Sequence, residues 1–319
     1  MPMTSSRRLR VLTWHVHGNY LYYLSQTPHD FYLVTRPGYP PGYAGTAGAL
    51  PFGANVHEIP ASEVQSQPFD VILFQHKQQW DDDRINLLSD AQRRLPRVYI
   101  EHDPPQENGF EQKHWVQDRD TLLVHVTHFN RLMWDNGDTQ TRVIEHGVIV
   151  PEGVRYSGDL ERGIAVINHL RQRGRRLGND VFTQAAERVP LDLVGMDAQS
   201  AGGIGEIGNM ELAAFVARYR FFFNPIRWTS LGLAIVEAMT IGMPIIGLAT
   251  TELAAVIRNG ENGYVDTNPL ALIDAMQRLL RDPAEARRLG EGARRTALER
   301  FHIARFAHDW DETLLHVCS

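Results

Sequence analysis

Short apolar runs alternate with segments of helical period along almost the whole chain. Residues 9–14, 30–35, 70–74, 98–101, 121–126 and 143–145 carry β-branched and aromatic side chains with little polar alternation. Strands covered on both faces read this way, so these runs predict a parallel sheet. The pattern repeats in residues 163–168, 191–194, 219–224 and 245–248. Helices are expected between them, at 20–24, 84–95, around Met133 and Trp134, at 210–218, from 269 to 280, from Asp282 and Pro283, and at 301–316. Asn268 stands as a cap for the first of the late helices. The stretch RPGYPPGYAGTAGALPFG, residues 36–53, is too rich in proline and glycine for regular structure and reads as a long loop. Its tyrosines, Tyr39 and Tyr43, either line an acceptor site or ride on a mobile flap.

The most informative stretch is YRFFFNPIRWTSLGLAIVEAMTIGMPIIG, residues 219–247. Pro225 ends the strand 219–224, and Thr229 and Ser230 stand where a helix takes its cap oxygens. A helix is therefore expected from about Leu231, with Gly232 allowing close approach to its backbone. Leu231, Ala234, Ile235, Ala238, Met239 and Ile241 follow the helical period, and Gly242 and Pro244 stop it. The first turn, with unpaired N–H groups at the positive end of the dipole, is a site for a phosphate. Glu237, about one and a half turns further in, is placed to accept hydrogen bonds from the hydroxyls of a ribose. A nucleotide sugar offers both parts.

The run NPIRWTSLGLAIVEAMTIGMPIIG resembles the C-terminal domain of the retaining, metal-independent glycosyltransferases of family four, whose pattern is roughly P-S-x-x-E-x-F-G-x-x-x-x-E-A-M-A-x-G-x-P-V-I. Two glutamates lie eight positions apart in that pattern, the second on the ribose and the first near the donor sugar. Glu237 matches the second. Thr229 stands at the first and is not acidic. The resemblance implies an α/β protein of GT-B arrangement, with two facing Rossmann-like domains of parallel sheets around an interdomain cleft. The expected division is residues 1–150 for the acceptor side, 151–300 for the nucleotide-sugar side, and a helix over 301–319 that crosses back to the first domain, where Trp310 is a candidate anchor.

The same resemblance assigns roles elsewhere. Gly18, in the loop after the first strand, matches the glycine-bearing loop under the donor diphosphate, with His17 and Asn19 beside it. His102, in the run His102-Asp103-Pro104-Pro105, resembles the histidine that touches the donor sugar. Arg173 and Arg176 stand where the family places an arginine and a lysine on the diphosphate, and guanidinium groups fork onto phosphate oxygens. Ser230, Leu231, Gly232 and Glu237 complete the donor set. His102 and Thr229 occupy the catalytic positions. His146, Gly147 and Val148 resemble the turn at which the chain leaves the first domain, and Thr250, Thr251 and Glu252 a loop in which the family has glycines.

Composition narrows the classes. The chain has 319 residues, 43% of them hydrophobic, enough for two ordinary cores. A net charge of −6 gives no electrostatic case for nucleic acid. Residues 1–150 hold 13 Lys and Arg against 17 Asp and Glu, so peripheral membrane contact has no basic patch to support it. The single cysteine, Cys318, excludes a disulfide framework and a cysteine zinc site, and the start MPMTSSRRLRVLTW lacks an apolar signal core, so a cytoplasmic location is expected. Trp80 is followed by Asp81, Asp82 and Asp83, which superficially offers a D-x-D metal site. The acids are read instead as capping the helix expected at 84–95, and neither metal nor cofactor is expected. The expected partners are a nucleoside-diphosphate sugar and a saccharide, lipid-linked or small-molecule acceptor. Two rival readings remain: a nucleotide-sugar binding protein without transfer activity, suggested by Thr229, and an epimerase or hydrolase of sugar nucleotides.

Overall fold

A computed structural model describes residues 7–48 and 50–319. Met1–Ser6, on which part of the leader argument rests, and Ala49 in the long loop lie outside the described residues. The chain forms two compact units, one comprising Met1–Gly147 with Ile303–Ser319, the other Val148–His302.

The first unit is built on seven strands, β1 (Arg10–Thr13), β2 (Asp30–Thr35), β3 (Val56–Pro60), β4 (Val71–Phe74), β5 (Arg97–Glu101), β6 (Thr121–His125) and β7 (Gln140–Val143). All pair in parallel, in the order β3-β2-β1-β4-β5-β6-β7. Strand order reverses between β1 and β4, where open α/β sheets bind ligands beyond the carboxyl ends. The helices are α1 (Gly18–Leu24), α2 (Arg84–Asn86) and α3 (His128–Met133), the last capped by Thr127, whose side chain accepts from the Asn130 N–H. Strand residues such as Leu12, Ile72, Phe74 and Tyr99 are sealed into one core.

Three expectations need correction. β3 falls where no strand was expected: Val56 and Ile59 are its only aliphatic side chains, and it lies at the sheet edge, so the apolar run of a buried strand is missing. Residues 84–95 are not one helix. A π-helical turn at Gln79–Asp83 runs into the short α2, and a separate 3₁₀ turn covers Gln92–Arg94. The aspartates therefore lie inside the helical segment, and Asp83 makes no cap hydrogen bond.

Asp83 does different work, which explains why residues 36–53 are not a free flap. It is 2% exposed and accepts hydrogen bonds from the Tyr43 hydroxyl at 2.6 Å and Arg36 at 3.0 Å. Burial pushes its carboxyl above the usual aspartate range, and the Tyr43 and Arg36 donors oppose that. Further along, Thr46 donates its N–H and hydroxyl to Glu58 of β3, and the His15 ring bonds the Gly45 carbonyl at 2.6 Å. The loop is pinned at three points. Tyr43→Phe should cost about 1–3 kcal/mol, since it withdraws a donor from a buried carboxylate; urea denaturation reads this, and a loss near zero would show that the hydroxyl is not needed there.

The second unit has five parallel strands, β8 (Leu160–Val166), β9 (Leu191–Val194), β10 (Tyr219–Asn224), β11 (Ile245–Leu248) and β12 (Gly263–Asp266), in the order β12-β11-β10-β8-β9. Here the reversal falls between β8 and β10. The helices are α4 (Leu170–Arg173), α5 (Asn179–Ala186), α6 (Asn209–Val216), α7 (Leu233–Ile241), α8 (Leu253–Val256), α9 (Pro269–Arg281) and α10 (Pro283–Arg300). Asn268 caps α9 through the Leu270 N–H and Asp282 caps α10 through the Glu285 N–H. Every residue of β10 is buried, as its largely apolar run predicts, and this includes the polar Arg220 and Asn224.

The last helix, α11 (Ile303–Val317), packs on α1 within the first unit. Trp310 is fully buried, and its indole N–H donates to the Tyr20 hydroxyl at 3.1 Å. Among the described residues, no helix is long and apolar enough to cross a membrane.

Candidate functional site

In the first unit the carboxyl ends of β1, β4 and β5 carry the candidate chemistry. Gln75, just beyond β4, is 4% exposed and spans the gap, donating to Thr13 Oγ1 and to the Trp14 carbonyl, both at 3.1 Å. Its Oε1 lies 3.2 Å from His102 Nε2. The His102 ring meets the His17 ring at 4.2 Å between centroids and the edge of Tyr20 at 4.7 Å. Burial, with His17 and His146 nearby, holds its pKa well below the ordinary histidine value, so His102 is a neutral imidazole at physiological pH.

The turn that carries His102 is held from below. Glu101, the last residue of β5, accepts the Asp103 N–H at 2.8 Å, while the Trp134 indole donates to the Asp103 carbonyl at 2.8 Å. Beneath them, His114 Nε2 lies 3.0 Å from Glu101. His114 Nδ1 accepts the Val116 N–H at 3.0 Å, which puts the ring proton on Nε2 and makes it the donor to the carboxylate. Burial lowers the His114 pKa to about 3, so this partner stays neutral. Gly18 differs from its expected setting: it is the first residue of α1, and a side chain there would press on His15 and Leu50.

In the second unit the candidate residues cluster around the reversal between β8 and β10. After β8 the chain passes through α4, which ends at Arg173, and a 3₁₀ turn, Gly174–Leu177, that contains Arg176. Arg173 is exposed and Arg176 half-buried. Gly178 closes the turn at φ 79°, where a Cβ would stand 1.9 Å from the Pro225 carbonyl oxygen, so only glycine lets the two segments touch. The segment after β10 is tied to this turn by its backbone. The N–H groups of Arg227 and Trp228 both donate to the Arg176 carbonyl, at 3.0 and 3.2 Å. Arg227 also forks onto Asp180 at 2.6 and 2.8 Å, and this bidentate bond holds the Asp180 carboxyl below the usual range.

The entry to the next helix differs from expectation. α7 begins at Leu233 with Gly232 as its cap residue, and no side chain caps it. Thr229, Ser230 and Leu231 therefore lie in the approach to the helix, Leu231 with its side chain buried. The correction has a simple cause: Gly232 takes the extended conformation of a cap residue itself, at φ −66° and ψ 138°, which leaves the hydroxyls two and three residues too early. Glu237 is half-buried in the second turn of α7. The loop after β11 closes on the same place, with Thr250 Oγ1 donating to the Ile226 carbonyl at 2.8 Å. Thr251 takes φ 51°, a left-handed conformation unusual for a β-branched residue, in the loop where the resemblance expects glycines. Glu252 is buried in an ion pair with Arg300 at 3.0 Å.

The structure thus brings Arg173, Arg176, Thr229, Ser230, Leu231 and Gly232 onto neighbouring segments of one sheet end, and places Gly18 and His102 at the equivalent end of the other unit. Asp81 is paired with Lys77, and Asp83 is committed to Tyr43 and Arg36. Among the described residues, no group of three His, Cys, Asp or Glu side chains is arranged to hold a metal ion. Gln75, Asp180 and Arg227 were not singled out from the sequence. A bidentate arginine-aspartate pair 47 residues apart leaves no local signature, whereas a polar residue just past an apolar strand could have drawn attention to Gln75.

Two all-parallel α/β units of this kind define the GT-B class. Over 97% of this chain and 99% of the other, the structure superposes on a sucrose-phosphate synthase from Thermosynechococcus elongatus with a TM-score of 0.71 at 17% identity. It superposes equally well, at 0.70 and 14% identity over 97% of this chain and 100% of the other, on Anabaena HepE in complex with UDP. Residues 180–282, which hold the loop after β10 and all of α7, match the family described as Glycosyl transferases group 1. Among characterised relatives, N-acetyl-alpha-D-glucosaminyl L-malate synthase of Bacillus anthracis is 34% identical over 86 residues, 26% of this chain and 22% of that protein. D-inositol 3-phosphate glycosyltransferase of a Nocardioides species is 30% identical over 135 residues, 42% of this chain and 29% of that protein. The matched segments span less than a third of either relative.

Proposed function

We propose that this protein is a glycosyltransferase that moves a sugar from a nucleoside diphosphate to a hydroxyl-bearing acceptor, with retention of configuration and without a metal. The observation that carries the reading is the hydrogen-bonded junction of the arginine-bearing turn after β8 with the loop that enters α7. Transfer leaves growing negative charge on the departing diphosphate, and fixed donors aimed at that charge supply most of the stabilisation such reactions need. Arg173, Arg176 and the N–H groups at the start of α7 are of the right kind, and their segments are already locked together. Glu237 takes the ribose hydroxyls, and the neutral imidazole of His102 is suited to a sugar hydroxyl.

Anabaena HepE is described in complexes with UDP and with UDP-glucose, and the two relatives are named for transfer to malate and to inositol phosphate. UDP-sugars are therefore the first donors to try, with small hydroxylated or phosphorylated acceptors. Thr229 favours a second reading, binding of a nucleotide sugar without transfer, because the family pattern has an acidic residue there. Incubation with UDP-, GDP-, ADP- and TDP-sugars, with and without acceptors, separates the two. Acceptor-dependent release of nucleotide supports transfer; binding with no release supports the second reading, and the absence of both removes the proposal. Glu237→Ala should weaken donor binding by about 1–3 kcal/mol, the loss expected when hydrogen bonds to a charged acceptor disappear. Unchanged affinity would take the ribose away from this residue.

A further inference from the structure

The orientation of the Gln75 amide follows from what surrounds it. The Trp14 carbonyl oxygen can only accept, so the amide NH₂ has to face it, at 3.1 Å. The amide oxygen then faces His102 Nε2, at 3.2 Å. An amide oxygen carries no proton, so the proton between them belongs to the imidazole. A neutral ring with its hydrogen on Nε2 keeps its lone pair on Nδ1. Among the described residues, no protein donor reaches His102 Nδ1.

We propose that Gln75 is a positioning residue that holds His102 in its Nε2–H tautomer and so presents Nδ1 as a hydrogen-bond acceptor to a sugar hydroxyl. The inference rests on the reading above, in which His102 takes a sugar hydroxyl. Its chemical sense lies in the cationic character that a sugar acquires as its diphosphate leaves. A lone pair orients the hydroxyl without placing positive charge beside that centre, whereas an imidazolium would offer only donors and would repel it. The rings that meet His102, those of His17 and Tyr20 from the start of α1, are neutral as well, since burial lowers the His17 pKa and raises that of Tyr20, and His146 from the segment after β7 stands nearby. Two acids flank His102 in the chain, Glu101 and Asp103, and the Asp103 N–H donates to the Glu101 carboxyl at 2.8 Å. A glutamine bonds the ring without adding charge to this group. A glutamate in its place would favour the doubly protonated ring.

The test uses ¹⁵N-labelled protein and long-range ¹H–¹⁵N correlation of the imidazoles, with His102→Asn identifying the His102 signals. In the wild type the proton is expected on Nε2 across the neutral range. In Gln75→Glu the His102 ring should titrate at higher pH than in the wild type, and in Gln75→Leu, a substitution of similar size, the tautomers should mix. Transfer assays add a second readout. Gln75→Glu should lose roughly ten- to a hundred-fold in kcat on the acid side of the profile and recover toward alkaline pH, with KM for the nucleotide little changed. A merely structural role would lower activity equally at every pH. A wild-type proton on Nδ1, or a tautomer indifferent to both variants, overturns the proposal even if transfer is robust. A protein without transferase activity removes the sugar role of His102, while the spectra still decide whether Gln75 sets the tautomer.

Discussion

Arg220→Ala is expected to destabilise the second unit by about 3–5 kcal/mol, a large share of the stability of an ordinary domain. Arg220 sits in the middle of the sheet, on β10, and is 4% exposed. Among the described residues, its guanidinium meets carbonyls and no carboxylate. Nε donates to the Gly158 carbonyl at 2.8 Å, and Nη1 to the carbonyls of Leu280 at 2.8 Å and Leu279 at 3.2 Å. The latter two belong to the last turn of α9, whose carbonyls have no partner within the helix and carry the negative end of its dipole. One side chain thus joins the sheet, the segment before β8 and a helix end. Removing it leaves three carbonyls short of a donor inside the protein. Arg220→Lys keeps the charge but loses the fork, and should cost about 1–3 kcal/mol. Denaturant unfolding combined with hydrogen exchange of the β8 and β10 amides measures both, and a loss under about 1 kcal/mol for the alanine variant would show that water replaces the guanidinium.

The second large effect concerns binding. If Arg173 and Arg176 both touch the diphosphate, each supplies a charge-assisted hydrogen bond of about 1.5–3 kcal/mol. Arg173→Ala combined with Arg176→Ala should then lower kcat/KM by about a hundred- to ten-thousand-fold. The fold should survive, because Arg173 is exposed and Arg176 contributes to the junction through its backbone carbonyl, which alanine keeps. A double variant with normal melting and normal turnover would remove both arginines from the site. Loss confined to one single variant would assign the diphosphate to that arginine alone.

What could be read from the sequence, and what could not, divides along physical lines. Strands buried on both faces announce themselves, and β10 and β11 lie where their apolar runs place them. The side-chain cap at Asn268 and the helix start at Asp282 and Pro283 were also legible. The start of α7 was not, because a glycine adopted the cap conformation without any side chain to mark it. The edge strand β3 carries too few apolar residues to stand out, and its pairing with β2 is a tertiary choice. The segment 36–53 looked free because its anchors are distant. Tyr43 and Asp83 are 40 positions apart, and Glu58 belongs to the strand that was missed. For the site, the residue types were legible through the family pattern. The ties that hold them, Arg227 to Asp180 and Gln75 to His102, depend on which strand ends lie side by side.

The proposed function requires that the second unit bind a nucleoside diphosphate through the turn after β8 and the approach to α7. Calorimetric titration of the intact protein with UDP, GDP, ADP and TDP tests it most directly, run beside the variant that lacks both arginines. The account predicts saturable binding of one molecule of at least one of these nucleotides, and loss of that binding in the double variant. No heat of binding from any of the four, or equal affinity with and without Arg173 and Arg176, would contradict it.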